Sequence, residues 1–383
     1  MKAVILSCNT GGGHNAAAYA LQAAFSARGH DAQVLDYLAL AGPRVSKTVG
    51  DSYVEMVKLS PQAFGAIYEL GMAVSTHVRR SPVYYANAAM AGCLQKYLVE
   101  NPVDCILMTH LFAAETLTWM KHHGDPLPLT VAVGTDYTCI PFWEETDCDC
   151  YILPHPDLVP EYEARGFVPG SLYPLGIPVS PAFSIPQNKA AARAALGLPE
   201  DKTVYLVVGG SMGAGNLGKL TKALVRLTGD DARIYVVCGS NKRKQQNMAR
   251  RYARTGRVTI YGRTDKMRLL MAACDIVYTK PGGLTSTEAA VAGVPLVHID
   301  PIPGCETANR EFFTRRGMSV SGDTPAEQAR AGVTLLHDPA ALAAMRQAQA
   351  AMLPHHAAED ICRFVEDKLT SAADALPADG NGG

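Results

Sequence analysis

The sequence predicts an α/β protein built from two doubly wound domains with parallel sheets. Three observations carry that reading: the length, the recurrence of short apolar runs each followed by a loop and a helical-period segment, and a proline-rich break near the middle. At 383 residues the chain exceeds one ordinary core and suits two domains of roughly 150–200 residues. With 48% hydrophobic and 19% charged residues it has the composition of a folded globular protein.

Strand-length apolar runs fall at Ala3–Ser7, Gln33–Tyr37, Cys105–Thr109, Thr130–Val133 and Tyr151–Leu153 in the first half. The second half repeats the scheme at Val204–Val208, Ile234–Cys238, Val258–Tyr261, Ile276–Thr279 and Leu296–Ile299. Buried strands alternating with helices imply parallel sheets, and two such sets imply two Rossmann-like domains. Between them Pro178-Val-Ser-Pro-Ala-Phe-Ser-Ile-Pro186 has the composition of a hinge. This places a first domain at 1–180 and a second at 187–354, with 371–383 as a disordered tail. Arg44 to Glu100 carries no strand signal and is long for a crossover between strands. Its Tyr, Met and Phe side chains, interspersed with Lys47, Lys58, Arg79 and Arg80, fit either core packing or an amphipathic surface that dips into a membrane.

Several classes are excluded. A formal net charge of −1 gives no global basic field for nucleic acid or anionic lipid, so any membrane attraction is local. The ten cysteines form no CxxC pair and read as reduced core thiols. The first apolar run is too short for a signal peptide, and no stretch reaches the roughly 18–20 apolar residues of a spanning helix.

Three glycine loops carry chemistry. Thr10-Gly-Gly-Gly-His14 follows the first strand and opens a helix, so Gly12 and Gly13 let a ligand approach the backbone. The helix dipole disfavours imidazolium at His14, leaving a neutral ring able to take a proton. Val207-Val-Gly-Gly-Ser-Met-Gly-Ala-Gly215 offers free amides that suit a diphosphate. It lacks the Ser or Thr of an NTPase P-loop and reverses the dinucleotide glycine spacing. Lys280-Pro-Gly-Gly-Leu-Thr-Ser-Thr-Glu288 is again strand, turn and helix. There Glu288 either closes a capping box with Thr285 or accepts hydrogen bonds from a ribose diol. Glu306 and Asn309 follow the next strand, where they could converge on a sugar. Asp147-Cys-Asp149 precedes a strand far from the second-domain loops and reads as solvated, so no metal is expected.

Taken together, Gly11–His14, Gly134-Thr-Asp-Tyr with Trp143, Tyr173-Pro-Leu-Gly-Ile-Pro178, Val237-Cys-Gly-Ser-Asn241, Lys280–Ala289 and Pro301–Asn309 resemble family 28 of the glycosyltransferases. The resemblance covers roughly residues 1–320. It is nearest to the processive diacylglycerol glycosyltransferases and monogalactosyldiacylglycerol synthases, and more distant from the transferase that forms lipid II. It implies a GT-B fold, two Rossmann-like domains facing a cleft, with the last helix, about 356–369, returning to the first domain. The diphosphate of a UDP-sugar would lie at Gly210, Ser211, Met212, Gly213 and Gly283. The nucleoside would lie at Arg263, Met267 and Glu288, and the sugar at Cys305, Glu306 and Asn309. His14 would be the base, with Asp136 an acidic residue in the same cleft, and Gly12, Gly13 and Trp143 would serve the acceptor. Cys305 stands where relatives carry Gln, and Ile140 where they often carry His.

The expected activity is inverting transfer of a hexose from a UDP-sugar to a membrane lipid, diacylglycerol or a polyprenyl diphosphate. It would occur without a cofactor, at the cytoplasmic face of a membrane with an anionic surface. Rivals of another class are a UDP-sugar epimerase and a UDP-sugar sensor without catalysis.

Overall fold

The computed structural model describes residues 1–9, 11–48, 68–72, 80–185 and 187–374. Two six-stranded sheets form, ordered β2-β1-β3-β4-β5-β6 and β12-β11-β10-β7-β8-β9. The first comprises β1 (Lys2–Ser7), β2 (Asp31–Asp36), β3 (Cys105–Met108), β4 (Leu129–Val133), β5 (Cys150–Ile152) and β6 (Leu172–Tyr173). The second comprises β7 (Thr203–Val208), β8 (Ala232–Val237), β9 (Val258–Tyr261), β10 (Ile276–Thr279), β11 (Leu296–His298) and β12 (Val320–Ser321). Every pairing is parallel, because each strand returns through a crossover on a sheet face. The central strands are buried on both faces, so they read as continuous apolar runs.

The ten apolar runs mark β1–β5 and β7–β11. The two-residue edge strands β6 and β12 carry no such run. Their pairing partners define them, Tyr151↔Leu172 for one and Val297↔Val320 for the other.

The described parts of the 44–100 stretch are helical, including Pro82–Ala88 and Ala91–Glu100. Ser81 caps the first of these through Tyr84 N at 3.2 Å, with Pro82 at its first position. Tyr84 and Leu94 are buried in the first domain's core, so part of this stretch is ordinary packing.

After the second domain the chain crosses back. The helix Ala357–Asp374 buries Ile361, Cys362 and Val365 against Ile5, Leu21 and Phe25 of the first domain. Midway along it Glu366 accepts from Arg28 and His30. The two crossings lie side by side: a Cβ on Gly176 would stand 2.9 Å from Pro354, and Ser184 Oγ donates to His355 O.

Candidate active site

In a doubly wound sheet the ligand crevice opens at the carboxyl edge where strand order reverses. The reversal lies between β1 and β3 in the first sheet and between β7 and β10 in the second. These positions carry the loops around His14, Thr109, Gly210 and Lys280, and the two edges face each other. Gly12 N donates to Ser211 Oγ at 3.2 Å, and Gly13 packs on Leu284. A Cβ on Gly283 would stand 1.9 Å from Thr135 O, so only glycine permits this closure. Gly12 and Gly13 therefore touch the donor-side loops as well as whatever enters from the first domain.

His14 lies in the first turn of the helix Gly12–Ala27. Its Nδ1 is 2.7 Å from Thr109 O and 3.2 Å from Thr135 Oγ1. A carbonyl accepts only, so Nδ1 carries the hydrogen and Nε2 keeps the basic lone pair. Burial lowers the pKa of His14 below its ordinary value, opposed by the Asp136 charge and the Thr109 carbonyl. Desolvation is the first cause of its neutrality, where the sequence argument named the helix dipole. His110 stands edge-on with ring centroids 4.6 Å apart, and burial together with His14 holds it well below the usual imidazole range.

The loop after β7 turns through positive φ at Gly210, Gly213 and Gly215. A Cβ on Gly213 would stand 1.9 Å from Cys238 O, so the Cys238-Gly-Ser-Asn241 turn braces the loop that carries Ser211 and Met212. Lys244 Nζ donates to Gly213 O and Gly215 O at 2.7 and 2.8 Å. The loop carbonyls are thereby turned onto a cation, which suits a loop that presents amides to an anion.

The helix Gly283–Val291 has Gly282 at its N-cap and no side-chain cap. Thr285 is therefore inside the helix and forms no capping box with Glu288. The Glu288 carboxylate has no hydrogen bond or ion pair within the described residues, and burial alone pushes its pKa up to about 7. A half-buried acid without a partner suits a ligand carrying adjacent hydroxyls.

Glu306 and Asn309 are already engaged. Glu306 pairs with Lys280 Nζ at 2.7 Å and accepts from Ile302 N at 2.8 Å. Asn309 accepts from Tyr137 N at 2.6 Å and donates to Asp136 Oδ1 at 2.8 Å and Pro281 O at 2.9 Å. Its amide thus ties the Asp136 loop of the first domain to the second, and Tyr137 Oη adds a contact to Thr287 Oγ1 at 2.7 Å. In this geometry Asn309 is an interdomain strut, and a sugar would have to share or displace its bonds. Cys305 is half-buried beside this cluster, and the Tyr68 ring lies against Gly304, within 3 Å of where a Cβ would stand.

Arg263 is exposed and Met267 half-buried after β9, beside an open depression lined by Tyr261 and residues 263–266. Trp143 is 5% exposed and edge-on to Tyr151, a core residue that supports its loop and offers no open face. Ile140 packs on the same core. Asp147 and Asp149 pair with Lys121 at 3.2 Å, and Asp147 also meets His122 at 3.0 Å. Among the described residues the one cluster with metal-ligand spacing is His30, Cys362 and Glu366. It lies past the far end of the helix Gly12–Ala27, about 20 Å along the axis from His14, with both Glu366 oxygens on Arg28. Sequence reasoning gives Thr109 and Lys244 no role, and reaches Thr135 and Tyr137 only as part of Gly134-Thr-Asp-Tyr and Tyr68 only as an aromatic of the 44–100 stretch, because their partners are distant in the chain.

Residues 14–179 match the profile of the Monogalactosyldiacylglycerol (MGDG) synthase family, and residues 188–352 that of Glycosyl transferases group 1. With the two facing sheets, this makes the chain a glycosyltransferase of the GT-B class. Its first domain is of the monogalactosyldiacylglycerol synthase type. It is 26% identical over 372 residues to a processive diacylglycerol beta-glucosyltransferase of Bacillus pumilus, covering 96% of this chain and 95% of that protein. It is 29% identical over 345 residues to the probable chloroplastic monogalactosyldiacylglycerol synthase of Glycine max, covering 86% and 64%. Among solved structures, MurG of Acinetobacter baumannii superposes with a TM-score of 0.62 at 16% identity, covering 96% of this chain and all of that one. The UDP-GlcNAc 2-epimerase of Neisseria meningitidis gives 0.64 at 12% identity, covering 97% and 100%. At those identities both establish the fold alone.

Proposed function

We propose that the protein transfers a hexose from a UDP-sugar to the free hydroxyl of diacylglycerol, with inversion at the sugar carbon. The observation that carries the mechanism is the Nδ1–H tautomer of His14, which leaves Nε2 as a base at the junction of the two domains. The acceptor hydroxyl gives its proton to Nε2 while its oxygen bonds to the anomeric carbon and the bond from that carbon to the UDP oxygen breaks. The charge left on UDP is met by the amides of the 210–213 loop and the uncapped N-terminus of the helix Gly283–Val291. Glu288 holds the ribose, and Arg263 and Met267 border the base. Cys305 and Glu306 flank the sugar, and Asp136 faces it from the first domain. The matched relatives, named for diacylglycerol substrates, favour this acceptor over a polyprenyl diphosphate.

No metal takes part in this reading, because the diphosphate charge is met by amides and helix dipoles; activity should persist in EDTA. Incubation with a panel of UDP-hexoses and diacylglycerol in mixed micelles tests the assignment. Glycolipid and UDP should form together, and isomerised donor without glycolipid would favour the epimerase reading.

No described helix is long and apolar enough to cross a membrane. Access to the lipid is assigned to the 44–100 region at the inner face of the membrane, where Leu70 and Tyr85 are each 63% exposed and Lys47 is exposed. Arg80 donates to Glu145 O and lies over the Tyr84 ring, so its guanidinium is held against the protein. Arg79, Lys58, Tyr53, Met56 and Phe64 lie outside the described residues. Replacing Leu70 and Tyr85 by Glu should weaken sedimentation with anionic vesicles, and unchanged sedimentation would move the docking surface elsewhere.

A further inference from the structure

Charge in this chain is unevenly distributed. Between residues 216 and 254 there are ten Lys or Arg and two Asp, in a protein of formal net charge −1. Asp230 and Asp231 lie in the turn after the helix Leu217–Leu227, where they pair with Arg257 and Lys202. Four of the ten line a surface pocket of about 410 Å³ between the start of the helix Leu217–Leu227 and one side of the helix Lys242–Tyr252. Lys219, Arg243, Lys244 and Arg251 line it with Asn216, Asn241 and Asn247, and no carboxylate is among the lining residues. Asp300 stands nearby, turned onto Asn216 N at 2.5 Å and Gln328 Nε2 at 3.4 Å.

Lys244 is committed to the glycine-loop carbonyls. Lys219, Arg243 and Arg251 are exposed and have no ion pair among the described residues. The two helix starts beside the pocket are already met, one by the Asp300 carboxylate on Asn216 N and the other by the Asn241 side chain on Lys244 N at 2.9 Å, so the unpaired cations carry the attraction for an anion. Three cations without an ion pair on the wall of one pocket repel one another, and a bound anion relieves that repulsion.

We infer that this pocket is a second anion site, specific for a phosphoryl group and separate from the donor cleft. Guanidinium forks at Arg243 and Arg251 suit two phosphate oxygens each, and Lys219 supplies a point charge to the third. The ligand is a phosphate ester, carried either by a soluble molecule or by a phospholipid headgroup. The inference does not rest on the proposed transfer reaction.

The test compares the full chain with a Lys219→Gln, Arg243→Gln, Arg251→Gln variant, using inorganic phosphate in calorimetry and phosphatidylglycerol against phosphatidylcholine vesicles in flotation. At least a tenfold loss of binding to either probe is expected, with UDP affinity retained as the sign of an intact fold. Loss with phosphate alone identifies a soluble ligand. Loss with phosphatidylglycerol vesicles identifies a headgroup. Binding of both probes equal to the parent, or displacement of phosphate by UDP at one shared site, overturns the inference.

Discussion

Replacing Glu288 by Gln should weaken UDP binding and stabilise the protein at the same time. A carboxyl held near 7 in place of 4.5 is disfavoured as the carboxylate by about 3 kcal/mol. Its partial exposure reduces the stability at stake to about 1–3 kcal/mol. Because the folded pKa is raised, Glu288's contribution is complete below pH 4.5 and disappears as pH rises through about 7. Above pH 7 the Glu288→Gln variant, which has nothing to ionise, should be the more stable protein, and below pH 4.5 the two should converge. Binding runs the other way. Hydrogen bonds to a charged acceptor contribute about 1.5–3 kcal/mol, so loss of the carboxylate should raise the Kd for UDP about 10- to 150-fold at pH 8. Thermal melts from pH 4 to 9 and UDP titrations at the same pH values test both halves. If parent and variant bind UDP equally and without pH dependence, Glu288 is not at the ribose.

His14→Ala should lower kcat by roughly a hundredfold or more while UDP affinity stays near the parent's. In the parent, kcat/KM should fall on the acid side along a limb lying below pH 6.5, since the His14 pKa is lowered. Gly283→Ala places a methyl 1.9 Å from Thr135 O, so the domains should fail to close; a soluble protein with activity lost and a larger radius by small-angle scattering is expected. Asn309→Ala removes two interdomain hydrogen bonds and one within the second domain, and leaves Tyr137 N and Pro281 O unpaired. A loss of about 2–4 kcal/mol, read as a lower Tm, should follow.

The central strands were legible because β1, β3, β7 and β10 are buried on both faces and so must be apolar throughout. The edge strands β6 and β12 were not, since two residues of backbone pairing impose no side-chain pattern. His14 was visible through the glycines that precede it, and its neutrality was reached by way of the helix start although burial is its first cause. Its tautomer was not visible, because Thr109 and Thr135 are 95 and 121 residues away and no local rule links them to it. Glu288 was ambiguous for a local reason: Thr285 and Glu288 have capping-box spacing wherever the helix begins. Its start at Gly283 decides the matter, and there Thr135 O of the other domain approaches so closely that no side chain fits. Asn309 has the chemistry of a sugar ligand and the position of a strut, a distinction that depends on Tyr137 and Asp136 arriving beside it.

The double crossing between the domains makes the first domain a discontinuous piece of polypeptide. Its core includes Ile361, Cys362 and Val365, which are translated after the entire donor domain, so on the ribosome it is completed last although it begins first. A fragment ending near residue 180 would expose the apolar faces of Leu21 and Phe25 that this helix covers. Exchanging donor domains between relatives therefore requires two junctions, one near Ser184 and one near His355, where the strands of chain already touch. Those adjacent crossings also act as a pair of pins. Any opening that keeps them together would turn about the line joining them and would swing the His14 edge away from Ser211.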